Sequence, residues 1–272
     1  MTEDLGTLFP KGTRVYLTDV GIDPLDTIVA AAVRLKSFGY VPVPHIPARR
    51  IETLPMLETR IARLRNEAEI EDVLLIAGEA ERQMGPYSSS LEILQTDVLS
   101  RNGIGRIGVA GHPEGSPVMS HDVAIASLKA KSDFSCQTDA DMYVVTQFGF
   151  DVARFIVWAD ALPSHGIFLP VHLGMAGPAK MTTLIKYAAI CGVGASMSFL
   201  KTRGSALASL AMGYDPEPIM ADLQAYISTN PHSKICSAHI FPFGGLKKSA
   251  NWLDERGTWD IKKSLYLDAN VV

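Results

Sequence analysis

Polar side chains in this 272-residue chain collect at the ends of short apolar runs. Thr18-Asp19, His45, Gly78-Glu79, His112-Pro113-Glu114, Gln147 and His239 each stand at or near the close of such a run. These residue types suit a binding and proton-handling site. A carboxylate accepts hydrogen bonds, a carboxamide offers both a donor and an acceptor, and an imidazole can do either. Each also has a plainer account. A histidine ending an apolar strand is more often a hydrogen-bonded core residue than a catalyst, Glu79 can cap a following helix, and Gln147 can bond to backbone alone. Those accounts must hold separately at every position, whereas one shared active site explains them together.

The elements that would position these groups follow a strand–helix alternation with a period of roughly 30 residues. Apolar, β-branched runs occur at 15–18, 41–46, 73–77, 107–110, 143–146, 168–173 and 235–241. Between them lie helical patterns. One begins at Asp23-Pro24, an acid at the N-cap with proline in the first turn, and runs to Gly39. Others are LETRIARLRNEAEIE, SSLEILQTDVLSRNG, VAIASLKAKS and DVARFIVWADALP. Continuously apolar strands are what a parallel sheet buried on both faces requires. No G-x-G-x-x-G follows any of these strands, which disfavours a dinucleotide-binding open sheet. The expected fold is therefore α/β, a (β/α)8 TIM barrel forming a single catalytic domain over 1–272, with strand-end residues gathered at one mouth. Only seven strands read clearly. The eighth is either the stretch 191–196 or a first strand missing or altered at the N-terminus.

Bulk composition narrows the class. The chain is 47% hydrophobic and 20% charged, with a formal net charge of -4 spread along its length. Neither a nucleic-acid stripe nor a basic membrane-binding helix is present in that pattern. Cys136, Cys191 and Cys236 are far apart, which argues against a disulfide framework or a structural zinc site and for buried free thiols. No apolar run reaches the ~20 residues of a membrane span, and MTEDLGTLFPKG lacks a signal-peptide core. A cytoplasmic enzyme without a metal ion is the expectation.

Five ordered segments then carry a resemblance. VLLIAGE (73–79), GVAGHPEGSP (108–117), SLKAKSD (127–133), VVTQFGFD (144–151) and LPVHLGMAG (169–177) occur in the order and spacing of methylenetetrahydrofolate reductase signatures. In that family the stretches read approximately as a strand ending Arg-Gly-Asp, Ala-Gly-Tyr-Pro-Glu, Leu-Lys-x-Lys, Ile-Thr-Gln-x-x-Phe-Asp and Pro-Ile-x-x-Gly-Ile. VYLTDV, VPVPHIPA and SAHIFPF match further strands, so the resemblance spans about 15–243. It implies reduction of 5,10-methylenetetrahydrofolate to 5-methyltetrahydrofolate, with hydride from NAD(P)H usually passing through FAD. It places Glu79, Gln147, Phe148 and His239 with the folate, the first two also as catalytic residues. A carboxamide matches the amide-like pterin edge, and a carboxylate accepts two N–H bonds from the 2-amino-pyrimidine. The charge of Glu79 would also favour the cationic 5-iminium form that accepts hydride.

The chain departs from the family elsewhere. The first-strand glutamate that donates the ring-opening proton has no secure match, although Glu3 is available. At flavin-binding positions Ala77 replaces arginine, His112 tyrosine and Ser116 histidine. Ala124 stands for an aspartate with Asp122 close by, Met181 for an aromatic residue and Gly245 for arginine. Thr18, His45, Ala110 and Lys131 are kept, and His112 is retained as a cofactor contact. Each lost charged hydrogen bond is worth about 1.5–3 kcal/mol. FAD is therefore expected to bind weakly or not at all, with NAD(P)H reducing the folate directly by proximity. Arg49-Arg50 and Lys247-Lys248 follow strands, where they could hold a pyrophosphate or the folate glutamate tail; solvated surface charge explains the lysines equally well. A pterin-dependent methyltransferase barrel and a non-catalytic partner subunit are the competing readings. Pairing of copies through an outer helix such as SALASLAMGY is a further expectation.

Overall fold

In α2 (Leu54–Ala68), Leu57, Ile61, Leu64 and Ala68 recur at helical spacing and are all buried. Thr53 caps this helix by accepting a hydrogen bond from the Met56 amide at 3.4 Å, and Glu69 ends it in the left-handed conformation at φ 52°. Its neighbour α1 (Leu25–Ser37) buries Ile28, Val29, Ala32 and Leu35 and packs against α2 and strand β2 (Val41–Pro47). Each leucine, isoleucine or valine side chain so removed from water contributes about 1.5–3 kcal/mol. Contrary to the sequence expectation, Pro24 and not Asp23 is the N-cap of α1, and no side chain caps it. The amides of Thr27 and Ile28 turn back to the Pro24 carbonyl. Gly39, at φ 83°, follows the helix as expected.

The computed structural model describes residues 5–19, 21, 23–78, 83–116, 119–190, 193, 213–257 and 270–271. They fall into two compact units, one drawn from Met1–Ala110 and Ala130–Tyr143, the other from Gly111–Lys129 and Val144–Val271. In the first unit β1 (Arg14–Leu17), β2, β3 (Asp72–Ile76) and β4 (Arg106–Gly111) pair in parallel, in chain order. Strand β5 (Asp141–Gly149) begins there, with the Asp141 amide bonded to the Gly105 carbonyl at 2.8 Å. The expected helix over 89–103 is instead two short ones, α3 (Ser90–Leu94) and α4 (Val98–Arg101). Asp97 at φ 57° breaks the run, and a Ser89–Glu92 capping box starts it.

In the second unit the rest of β5 pairs in parallel with β6 (Val171–Ala176), and β6 with β7 (Ile235–Phe241). A two-residue strand, β8 (Asn270–Val271), pairs with β7. The unit boundary passes through β5 and through α5 (His121–Ser135). Among its described residues are helices α6 (Val152–Ala161), α7 (Met181–Ile190), α8 (Glu217–Thr229) and α9 (Leu246–Arg256). Its core gathers Phe148, Phe150, Ala176, Ala179, Leu184, Ala188, Val193 and Tyr214.

The seven strands read from sequence are all present in an α/β fold of parallel strands, with β6 starting later than expected. Of the two places expected for an eighth strand, 191–196 lies outside the described residues except for Val193, and the described N-terminal residues ahead of β1 carry a 3-10 turn, Leu5–Thr7, in place of a strand. Glu3 and most of the SALASLAMGY stretch lie outside the described residues. Cys136 is exposed and Cys236 half-buried, so the expectation of buried thiols fails for Cys136; Cys191 lies outside the described residues. Among the described residues no helix is long and apolar enough to cross a membrane, and no cluster of three or more His, Cys, Asp or Glu could hold a metal.

Candidate functional site

Because β1 to β4 run parallel, their carboxyl ends lie along one edge of the first unit's sheet. Thr18 follows β1 there and is exposed. Asp19 beside it is structural: its carboxylate accepts from Arg60 Nη1 at 2.6 Å and from the Gly21 amide at 2.8 Å. His45, on β2, meets the Tyr16 ring edge-on at 6.3 Å between centroids. Part of its surface is accessible, yet both ring nitrogens are buried and have no hydrogen-bond partner among the described residues. Burial pushes its pKa down to about 4, against the opposing pull of Asp19. It is therefore not the hydrogen-bonded core histidine of the plainer account.

Arg49 and Arg50 form a 3-10 turn (Ala48–Arg50) directly after β2, and both are half-buried. Arg49 Nε donates to the Ser88 carbonyl at 3.1 Å. The Arg50 guanidinium occupies the space a side chain would need at Gly21, whose φ of 78° suits glycine alone. Ala110 is half-buried near the end of β4. Lys131, on α5, is 7% exposed, and burial lowers its pKa to about 8. Glu79 lies outside the described residues; the strand it follows ends at Ile76, with Gly78 at φ 81° against Pro47.

The second unit holds Gln147, Phe148, His239 and His112. Along β5 the pairing with β6 is broken: Val145 stands opposite His172 and Phe148 opposite Gly174. Thr146 and Gln147 thus face the single residue Leu173, a β-bulge of the kind that re-aims side chains beside functional sites. The Thr146 hydroxyl fills the gap. It accepts from the Gly174 amide at 2.7 Å and donates to the Gln147 carbonyl at 2.8 Å. Gln147 is half-buried, and its Oε1 is buried without a hydrogen-bond partner among the described residues.

Register puts Phe148, Gly174 and His239 in one row. Phe148 is 1% exposed and belongs to the core with Leu184 and Ala188 of α7. It packs against Phe243 at 4.6 Å and Phe241 at 5.5 Å, while His239 meets Phe241 edge-on at 4.7 Å. Phe148 therefore packs in the core of the unit. His112 is half-buried, its carbonyl receiving the Gly115 amide at 3.0 Å; Glu114 beside it is buried.

Two sets of groups remain available for chemistry. In the first unit, unsatisfied His45 nitrogens and the Arg49–Arg50 pair lie at one sheet edge, a set that fits an anionic, hydrogen-bonding cofactor. In the second, a carboxamide beside the bulge, its Oε1 buried without a hydrogen-bond partner among the described residues, fits a planar ligand edge carrying N–H and C=O groups. Sequence reasoning missed Thr146 and Gly174. The available signals were a Thr-Gln pair interrupting an apolar strand and a glycine inside VHLGMA, where glycine marks a bulge or a close backbone approach.

Comparison with known proteins adds a partial match. A 97-residue stretch is 38% identical to methylenetetrahydrofolate reductase 1 of Schizosaccharomyces pombe, covering 35% of this chain and 15% of that protein. The matched stretch is thus a small part of the relative's length. No family model matches the chain. Among solved structures, the GDP-mannoheptose C4 reductase MlghC from Campylobacter jejuni, with NADP bound, aligns over 97% of this chain and 88% of its own at 11% identity. Its TM-score of 0.23 is too low to bear on fold or ligand.

Proposed function

We propose that this chain is an oxidoreductase interconverting 5,10-methylenetetrahydrofolate and 5-methyltetrahydrofolate with NAD(P)H, on a single (β/α)8 barrel domain. The stretch 38% identical to a methylenetetrahydrofolate reductase carries this reading, and the unsatisfied carboxamide of Gln147 supports it. Gln147 pairs with the amide-like edge of the pterin. Glu79 accepts from the 2-amino-pyrimidine edge and stabilises positive charge on the one-carbon unit. His45, Arg49 and Arg50 hold the dinucleotide, with Thr18, Ala110, His112 and Lys131 as further contacts. The nicotinamide supplies the hydride. Arginine is missing at positions 77 and 245, so the charged contacts FAD would need are reduced and the transfer proceeds without tightly bound flavin.

An anaerobic assay of NAD(P)H oxidation with methylenetetrahydrofolate, run with and without added FAD, tests substrate, donor and flavin together. Folate-dependent oxidation by colourless protein is expected. No oxidation with either nucleotide overturns the reductase reading, and turnover only with stoichiometric yellow flavin overturns the direct route.

A further inference from the structure

We propose that Thr146 is the positioning residue of Gln147: its hydroxyl closes the β5 bulge and fixes the direction in which the carboxamide meets the planar edge of a ligand. This rests on the reading of Gln147 as the pterin-recognising group. A two-against-one mismatch between β5 and β6 leaves the backbone groups around Leu173 without the regular ladder. The Thr146 hydroxyl enters the ladder as an extra link, taking the Gly174 amide at 2.7 Å and giving its own proton to the Gln147 carbonyl at 2.8 Å. Thr146 is 2% exposed, so no water can substitute freely for that link.

Gly174 completes the device from the other strand. A Cβ there would fall against the carbonyl oxygens of both Thr146 and Gln147. The backbones of β5 and β6 therefore approach more closely than any side chain at 174 allows. The bulge is held by one hydroxyl and one missing methyl, and the side chain it carries is the one whose Oε1 is buried without a partner. A carboxamide selects between ligand edges by orientation, since rotating it exchanges donor for acceptor. Pinning the backbone at Gln147 fixes where its Cα–Cβ bond leaves the strand and so narrows the positions and orientations the carboxamide can reach before a ligand arrives, which is preorganisation of the contact.

The test compares T146V, T146S and Q147A, with the T146V/Q147A double variant. In folate-dependent NAD(P)H oxidation T146V is expected to raise KM for the folate ~10-fold or more, with KM for the nucleotide unchanged, while T146S stays within ~3-fold of wild type. Adding T146V to Q147A should change little, because the two losses are one interaction. Independent losses that multiply in the double variant overturn the proposal. The side-chain amide resonance of Gln147, assigned by its disappearance in Q147A, is read without any folate. It should move in T146V and not in T146S; an unmoved resonance in folded T146V overturns the proposal. If T146V does not fold, T146C replaces the hydroxyl with a weak donor at similar volume and carries the same comparison. Should wild type neither bind nor turn over a reduced folate, the functional reading fails alone, and the amide resonance still decides whether Thr146 positions Gln147.

Discussion

Tyr143 and Gln147 stand on the same strand, yet their polar atoms are treated in opposite ways. The Tyr143 hydroxyl donates to Asp72 Oδ1 at 2.8 Å and lies 3.0 Å from the Tyr16 hydroxyl. Asp72 Oδ2 accepts from Arg14 Nε at 3.1 Å, and the Arg106 guanidinium sits 4.8 Å over the Tyr143 ring. All of these belong to the first unit, at the amino ends of its strands. Further along, in the second unit, the Thr146 hydroxyl is bonded twice, while the neighbouring Gln147 Oε1 has no hydrogen-bond partner among the described residues. Where buried polar groups partner one another they specify structure; where one is left with an unfilled acceptor, its bonding capacity is open to a group from outside the chain.

Removing Asp72 should break the first region and spare the second. D72A leaves Arg14 and Arg106 without their carboxylate, and a loss of about 3 kcal/mol in urea unfolding at neutral pH is expected, with turnover per folded molecule unchanged. A variant as stable as wild type would show that the network does not specify the fold. Q147A should do the reverse. Its kcat/KM for the folate should fall ~100-fold, about 2.7 kcal/mol of transition-state stabilisation, while its Tm stays within about 1 °C of wild type. A drop in Tm with activity retained would make Gln147 a structural residue after all.

The smallest effect concerns pH, and both groups involved are in the first unit. Burial lowers His45 from 6.5 to about 4, so between those values the unfolded chain holds a proton that the folded chain does not. Stability from this group rises with pH across that window and is lost as pH falls through it. Burial raises Asp72 from 3.8 to about 6 despite its arginines, so there the folded chain holds the extra proton. Stability from Asp72 is present at low pH and lost as pH rises towards 6. The two slopes oppose, leaving wild-type stability nearly flat between about pH 4 and 6. D72N should expose the His45 slope, up to about 1.4 kcal/mol per pH unit, and H45Q the opposite one. Equal slopes in the two variants would contradict the burial of these groups.

Strand positions were legible because a parallel sheet buried on both faces needs uninterrupted apolar residues, and seven runs of that kind stand in the chain. The same property concealed the faces. In MYVVTQFGF nothing distinguishes a phenylalanine packed in the core, as Phe148 is, from one facing a ligand. The bulge was illegible because it arises from register with β6, a strand some 25 residues away. Asp72, opening an apolar run, reads as a solvated strand boundary; its burial depends on tyrosines and arginines contributed by three other strands. Gln147 was legible because a carboxamide inside such a run needs an explanation, and the Thr-Gln pair matched a known signature.

The close approach at Gly174 has a consequence for how this chain can vary. Substitution there is blocked by backbone atoms, which no compensating side-chain change can remove. Thr146, Gln147 and Gly174 are consequently coupled as one unit spread over two strands. A lineage that replaced the glycine would have to part the two backbones here, and with them the link that the threonine hydroxyl makes.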